Sequence, residues 1–179
     1  MKKIITLVML WASIMTVAQE KMICKSGVIT FEASVPSFEE VKATNNSVTV
    51  VLNPKTGEIA SLALLKGFRF KVALMEEHFN ENYVESDQYP KAVFKGKIEN
   101  FDTKSLTSTP KDFTINGKLE LHGKTVAIKT IARISQSNSG INLVSNFSVN
   151  ASDFDISIPT IVKNKVSNKI KIQLTAVFK

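Results

Sequence analysis

Hydrophobic and polar residues alternate with period two along most of this 179-residue chain, the spacing of β-strands that bury one face. The last segment shows it best. Val166, Ile170, Ile172, Leu174, Ala176 and Phe178 point one way, while Ser167, Lys169, Lys171, Gln173, Thr175 and Lys179 mostly point the other. The pattern recurs in Phe113, Ile115, Leu119 and Leu121, and again in Ile141, Leu143, Phe147 and Val149. Eight strands are predicted, at about residues 27 to 34, 46 to 53, 57 to 70, 91 to 101, 112 to 122, 124 to 135, 139 to 150 and 165 to 178. Turn-forming clusters of hairpin length separate them, among them Asn53-Pro54-Lys55-Thr56-Gly57, His122-Gly123-Lys124 and the run from Gln136 to Gly140.

Short connections between long strands imply an antiparallel meander. Closing the meander removes the exposed edges that an isolated sheet must otherwise protect. The expected class is therefore all-β, an eight-stranded antiparallel barrel, whose interior is either just filled by side chains or holds one small ligand.

Two places break the alternation. Residues 37 to 43 read as a short acidic and apolar connection with a helical turn. Residues 71 to 83, between the third and fourth strands, read as the one short α-helix: Met75, Phe79 and Tyr83 recur at helical spacing, Leu74 and His78 lie on the adjoining stripe, and Glu76, Glu77 and Asn80 take the opposite face. Pro90 keeps this helix from running into the next strand.

The N-terminus adds an address. Lys2 and Lys3 precede an apolar run from Ile4 to Val17, and Thr16-Val17-Ala18 supplies the small residues of a cleavage site, the layout of a secretory signal peptide. The run is too short for a stable membrane-spanning helix. Cleavage after Ala18 would leave residues 19 to 179 as a single domain. Export to the periplasm is expected, with secretion as the alternative. The lone Cys24 excludes an internal disulfide framework, so stability must come from an apolar core.

The formal net charge of +7, which falls by two when Lys2 and Lys3 leave with the leader, is spread along the strands. Arg69 and Arg133 are the only arginines. No basic patch with interleaved aromatics appears, so nucleic acid is not an expected partner.

The stretch "EEHFNENYVESDQYP", Glu76 to Pro90, concentrates five acidic residues and one of the two histidines. Glu81 and Asn82 follow His78 at spacings that share a helix face. A histidine oriented by a carboxylate is half of an acid-base site, yet no nucleophile motif accompanies it. His78, His122 and Cys24 lie far apart in sequence for a zinc site, and no calcium-binding loop occurs. No catalytic residue, metal ligand or cofactor is therefore assigned.

The stretch reads instead as a lid. Its apolar side, with Met75 and Phe79, needs a partner, and the barrel mouth lined by Phe94, Phe113, Leu119, Phe147 and Phe154 is available. Phe70, at the end of the third strand, joins the set of candidate ligand-contacting residues, and His78 is placed where it can touch what lies beneath. The acidic face reads as solvated surface. Eleven Phe against one Trp and two Tyr give aromatic content largely without polar handles, which suits a hydrocarbon ligand and a filled core equally. From the residues alone, a binding module and a filled barrel acting through a partner both stand.

A resemblance weights the choice. Tyr89-Pro90 with Phe94 in "YPKAVFKGKI", then "INGKLELHGKTVAIK", then "VNASDFDIS" resemble in order three blocks of the YceI-like proteins, with likeness extending from about Gly27 to Lys179. "MEEHFNENYVESDQYP" looks like that family's block of a His, a hydrophobic residue and a short helix leading into the Tyr-Pro strand. The resemblance implies an exported bacterial protein with a lipocalin-like barrel that binds a hydrophobic lipid such as a polyisoprenoid. Carriage or sequestration of the chain is the expected role, and peripheral membrane contact for lipid exchange is expected with it. Monomer and dimer are equally compatible with the pattern. Where the family commonly carries an Asn-Arg-Ser-Asp-Phe-Gly run, this chain reads Asn150-Ala151-Ser152-Asp153-Phe154-Asp155.

Overall fold

A computed structural model describes residues 21–179. The expected leader lies outside the described residues. The strands are β1 (Met22–Ser34), β2 (Lys42–Leu52), β3 (Glu58–Leu64), β4 (Arg69–Phe70), β5 (Lys91–Ile98), β6 (Lys111–Leu121), β7 (Lys124–Ser137), β8 (Gly140–Asn150) and β9 (Val166–Phe178). They pair antiparallel in the order β1-β9-β8-β7-β6-β5-β3-β2-β4, and a further β1–β2 pairing closes the barrel. Eight long staves form the wall. The two-residue β4 is not a ninth stave: it pairs with β2 through Ala43↔Phe70 and Thr44↔Arg69, above the stretch where Thr49 to Leu52 pair with β3.

The expected third strand is thus interrupted. A 3-10 turn at Leu65–Gly67 separates β3 from β4, and the gap in the ladder is filled by Asn45. Its side chain is 1% exposed. Its Nδ2 donates to the Leu64 carbonyl at 2.9 Å, and its Oδ1 accepts from the Ser47 amide at 2.9 Å. A buried amide satisfied on both ends replaces the backbone pairing that is lost there.

The connection over residues 37 to 43 is a turn rather than a helical segment, because Ser37 takes a left-handed φ of 73° and Lys42 already belongs to β2. The β6–β7 hairpin is the two-residue turn read from the sequence. His122 and Gly123 have φ of 51° and 73°, the pair of positive values a type I′ turn demands.

The barrel is packed solid at one end and hollow at the other. At the solid end, where β2 turns into β3 and β9 terminates, Leu52, Ile98, Ile134, Leu143 and Phe178 are at most 1% exposed. Along β9 the inward stripe runs from buried Phe178, Ala176 and Leu174 to Ile172 and Ile170, which are only partly buried. Inward residues that keep accessible surface face a void.

Candidate functional site

That void is a cavity of about 550 Å³. Three segments surround its mouth: the β1–β2 turn with Phe38 and Glu39, the helical segment between β4 and β5, and the β8–β9 connection with Ile158, Val162 and Lys165. Below the mouth the wall is hydrocarbon, interrupted by a few hydroxyls. Thr130 and Ser145 bond to each other at 3.0 Å, and the Ser145 hydroxyl donates to the Ile131 carbonyl at 3.0 Å.

The helical segment is α1 (Ala73–His78), continued by a π-helical turn over Phe79–Tyr83. The wider turn is visible in the Val84 amide, which donates to the Phe79 carbonyl at 3.0 Å, five residues back. Phe79 anchors it. Its ring centroid lies 5.3 Å from Phe31, 5.9 Å from Phe68 and 5.2 Å from Phe70, within the range of favourable aromatic pairs. Four rings from β1, the 3-10 turn region, β4 and the π-turn form a collar under the mouth.

Of the residues singled out in the sequence, Phe70, Met75, His78, Phe79, Phe94, Leu119, Phe147 and Phe154 all line the cavity. Phe113 does not. It stands on the inward face of β6 but opposite Ala132, beyond Ile115 toward the solid end, where its ring packs edge-on against Phe101 at 5.7 Å. Phe94 also turns out differently from a plain wall residue. Its ring lies over facing Gly96 and Gly117, and a Cβ on Gly117 would come 2.5 Å from its Cζ. Phe31 and Phe68 were not singled out, although Phe31 shares the β1 parity of Ile29 and Ala33, which also line the cavity.

The acidic face of the helix is not simply solvated. The Glu76 carboxylate accepts from Arg69 Nη1 at 2.8 Å and from the Phe70 amide at 3.1 Å, with the Glu76 side chain 27% exposed. It holds β4, and with it Phe70, against the helix. Glu76→Ala is therefore expected to lower stability by about 1–2 kcal/mol, whereas Glu77→Ala, on the exposed side, should stay within about 0.5 kcal/mol. Paired thermal unfolding of the two variants measures this; equal melting temperatures would remove the tie. Leu74, read as part of the apolar stripe, is 56% exposed instead.

His122 has a larger part than its turn position suggested. Its Nδ1 lies 2.9 Å from the Phe154 carbonyl and its Nε2 lies 2.7 Å from Glu85 Oε2, and its ring packs on Tyr89 at 4.6 Å. The carbonyl and the carboxylate are both acceptors, so both contacts are satisfied when the ring carries both protons. The histidine clamps three segments at the cavity end of the barrel: its own hairpin, the residues after the π-turn, and the 3-10 turn Ala151–Phe154. Next to it the Lys124 ammonium lies 2.7 Å from Asp155 Oδ2, and this hydrogen bond and charge raise the lysine above its ordinary range. Cys24 is buried in β1, and among the described residues no three His, Cys, Asp or Glu side chains converge on one point.

The YceI-like domain model matches residues 20–178, essentially the whole barrel. The chain belongs to the YceI-like family. Three solved structures show the same fold. A polyisoprenoid binding domain from Saccharophagus degradans, implicated in plant cell wall breakdown, superposes with a TM-score of 0.75 at 14% identity, covering 89% of this chain and 97% of its own. BcnA of Burkholderia cenocepacia gives 0.69 at 14% identity, covering 85% and 96%. The YceI protein of Campylobacter jejuni gives 0.60 at 18% identity, covering 81% and 89%. The comparison with curated proteins gives no match.

Within the YceI-like pattern the two departures near residue 150 acquire a place. Ala151, standing where an Arg is common, is 6% exposed and lines the cavity. Asp155, standing where a Gly is common, has a left-handed φ of 57°. Asp is among the residues that tolerate this conformation.

Proposed function

We propose that the protein is an exported lipid-binding module that holds a hydrophobic chain of prenyl type inside its barrel, as a carrier or a sequestering protein of the periplasm. The observation that carries this reading is the hollow, hydrocarbon-walled end of the barrel, about 550 Å³ in volume and opening to solvent beside the helical segment. Burying about ten methylenes there contributes roughly 8 kcal/mol, so binding needs neither a catalytic group nor a cofactor. Phe70, Met75, His78, Phe79, Phe94, Leu119 and Phe147 are the residues of this set that would touch the chain, with fully buried Phe154 packed behind them.

Membrane contact fits the same picture. Phe38, Leu74 and Ile161 are 45%, 56% and 85% exposed, and they sit on the three segments around the mouth. Exposed apolar side chains gathered at an opening favour transient contact with a lipid surface, from which a chain passes into the cavity.

Native mass spectrometry and lipid extraction of protein purified from its own source are expected to recover a bound prenyl lipid. Recovery of no lipid, together with no uptake of added prenyl lipids, would leave a barrel that acts through a protein partner. Ester hydrolysis abolished by His78→Ala would instead make it an enzyme.

A further inference from the structure

The cavity also sets how much chain the protein can enclose, an inference that rests on the lipid-binding reading. On β3, β6 and β8 the lining residues nearest the solid end are Ile59, Ile115 and Leu143, exposed by 4%, 2% and 0%. Beneath them Leu52, Ile98 and Phe178 leave no passage onward, being at most 1% exposed. The enclosed space is therefore a blind pocket and not a tunnel.

A water-sized group takes about 30 Å³, and a methylene is of similar size. The cavity of about 550 Å³ then holds on the order of 18 heavy atoms. We propose that the site selects a single-chain lipid and encloses only about three to four isoprene units of it, so that any further length stays outside the mouth. The two acyl chains of a phospholipid do not fit together. The deep wall offers a polar chain little: its hydroxyls are those of Ser61, Thr130 and Ser145, and the last two already satisfy each other.

Affinity against chain length tests this. Prenyl diphosphates of two to eight isoprene units, titrated calorimetrically below their micelle concentrations, keep the head group constant and vary only the chain. Each unit that is fully enclosed should tighten binding by about a hundredfold or more. The expected series tightens up to three or four units and then stays flat within about threefold, since added methylenes outside the mouth bury little surface.

Ser61, 8% exposed, faces the cavity from β3, and Ser61→Phe should move the break point down by about one unit, because the ring adds about five heavy atoms to the space the chain would fill. Ala92→Phe, from β5, serves the same purpose if that variant does not fold. Continued tightening to eight units, or a break point indifferent to both variants, would overturn the proposal while leaving the lipid-binding reading in place. Failure of every homologue to bind would overturn both.

Discussion

Phe154→Ala is expected to lower the unfolding free energy by about 3–5 kcal/mol, the cost of removing a fully buried aromatic ring and leaving a cavity behind. The ring is 0% exposed and borders the cavity from the β8–β9 side. Its own carbonyl accepts the His122 hydrogen bond, and the following residue, Asp155, reverses the chain in a left-handed conformation while bonded to Lys124. The backbone at this point is held from both sides, so it has little freedom to collapse into the space the ring leaves. That is the condition under which large-to-small substitutions cost most.

Phe79→Ala is the useful contrast. Its ring is only partly buried and borders the cavity, so the expected loss is about 1–2 kcal/mol, in proportion to the smaller area withdrawn from water. Its larger effect should fall on retention, because the collar with Phe31, Phe68 and Phe70 loses its central ring. Urea unfolding with unchanged slope reports the stabilities, and the rate of lipid release reports the collar. A Phe154→Ala protein no less stable than Phe79→Ala would show that the β8–β9 turn is not anchored by its ring.

Alternation carried most of the architecture because a barrel stave and an amphipathic strand obey the same parity rule. In β9 the inward stripe from Val166 to Phe178 was legible in full. The first turns of β1 were not. Lys25 and Ser26 break the alternation, and the register with β2 shifts between Cys24 and Gly27 and again before Ile29. The break between β3 and β4 was hidden for another reason. The residue that makes it possible, Asn45, lies on a different strand, and its two hydrogen bonds exist only once the barrel has closed.

The site was legible in composition but not in depth. Phe113 and Phe147 carry the same period-two signal, yet one packs into the solid end and the other borders the void. Parity tells which side of the sheet a residue faces. How far along the barrel axis it stands depends on strand register, which no single segment encodes. Glu76 was misread for a similar reason: a helix face opposite the apolar stripe is ordinarily solvated, but β4 folds back across it and offers a backbone amide and a guanidinium.

His122 shows how a turn residue can be chosen for two tasks, and a conservative substitution separates them. Asn followed by Gly is the strongest pair for a type I′ turn, so His122→Asn keeps the positive φ at this position and, if anything, favours the hairpin. What it removes is reach. The shorter side chain cannot span from the Phe154 carbonyl to Glu85 Oε2, contacts the imidazole makes at 2.9 Å and 2.7 Å. The Phe154 carbonyl would lose its bond from the ring in a half-buried turn, which costs about 1–3 kcal/mol. The Glu85 pairing adds little to that sum, because its carboxylate is half-exposed and can return to water. His122→Asn is accordingly expected to lower stability by about 1–3 kcal/mol despite the better turn. Amide hydrogen exchange should rise in the 3-10 turn over residues 151 to 154 and after the π-turn near Glu85, and not in the β6–β7 hairpin itself. Exchange that rose only in the hairpin would assign His122 to the turn alone and leave the β8–β9 connection held by Phe154 and the Lys124–Asp155 pair.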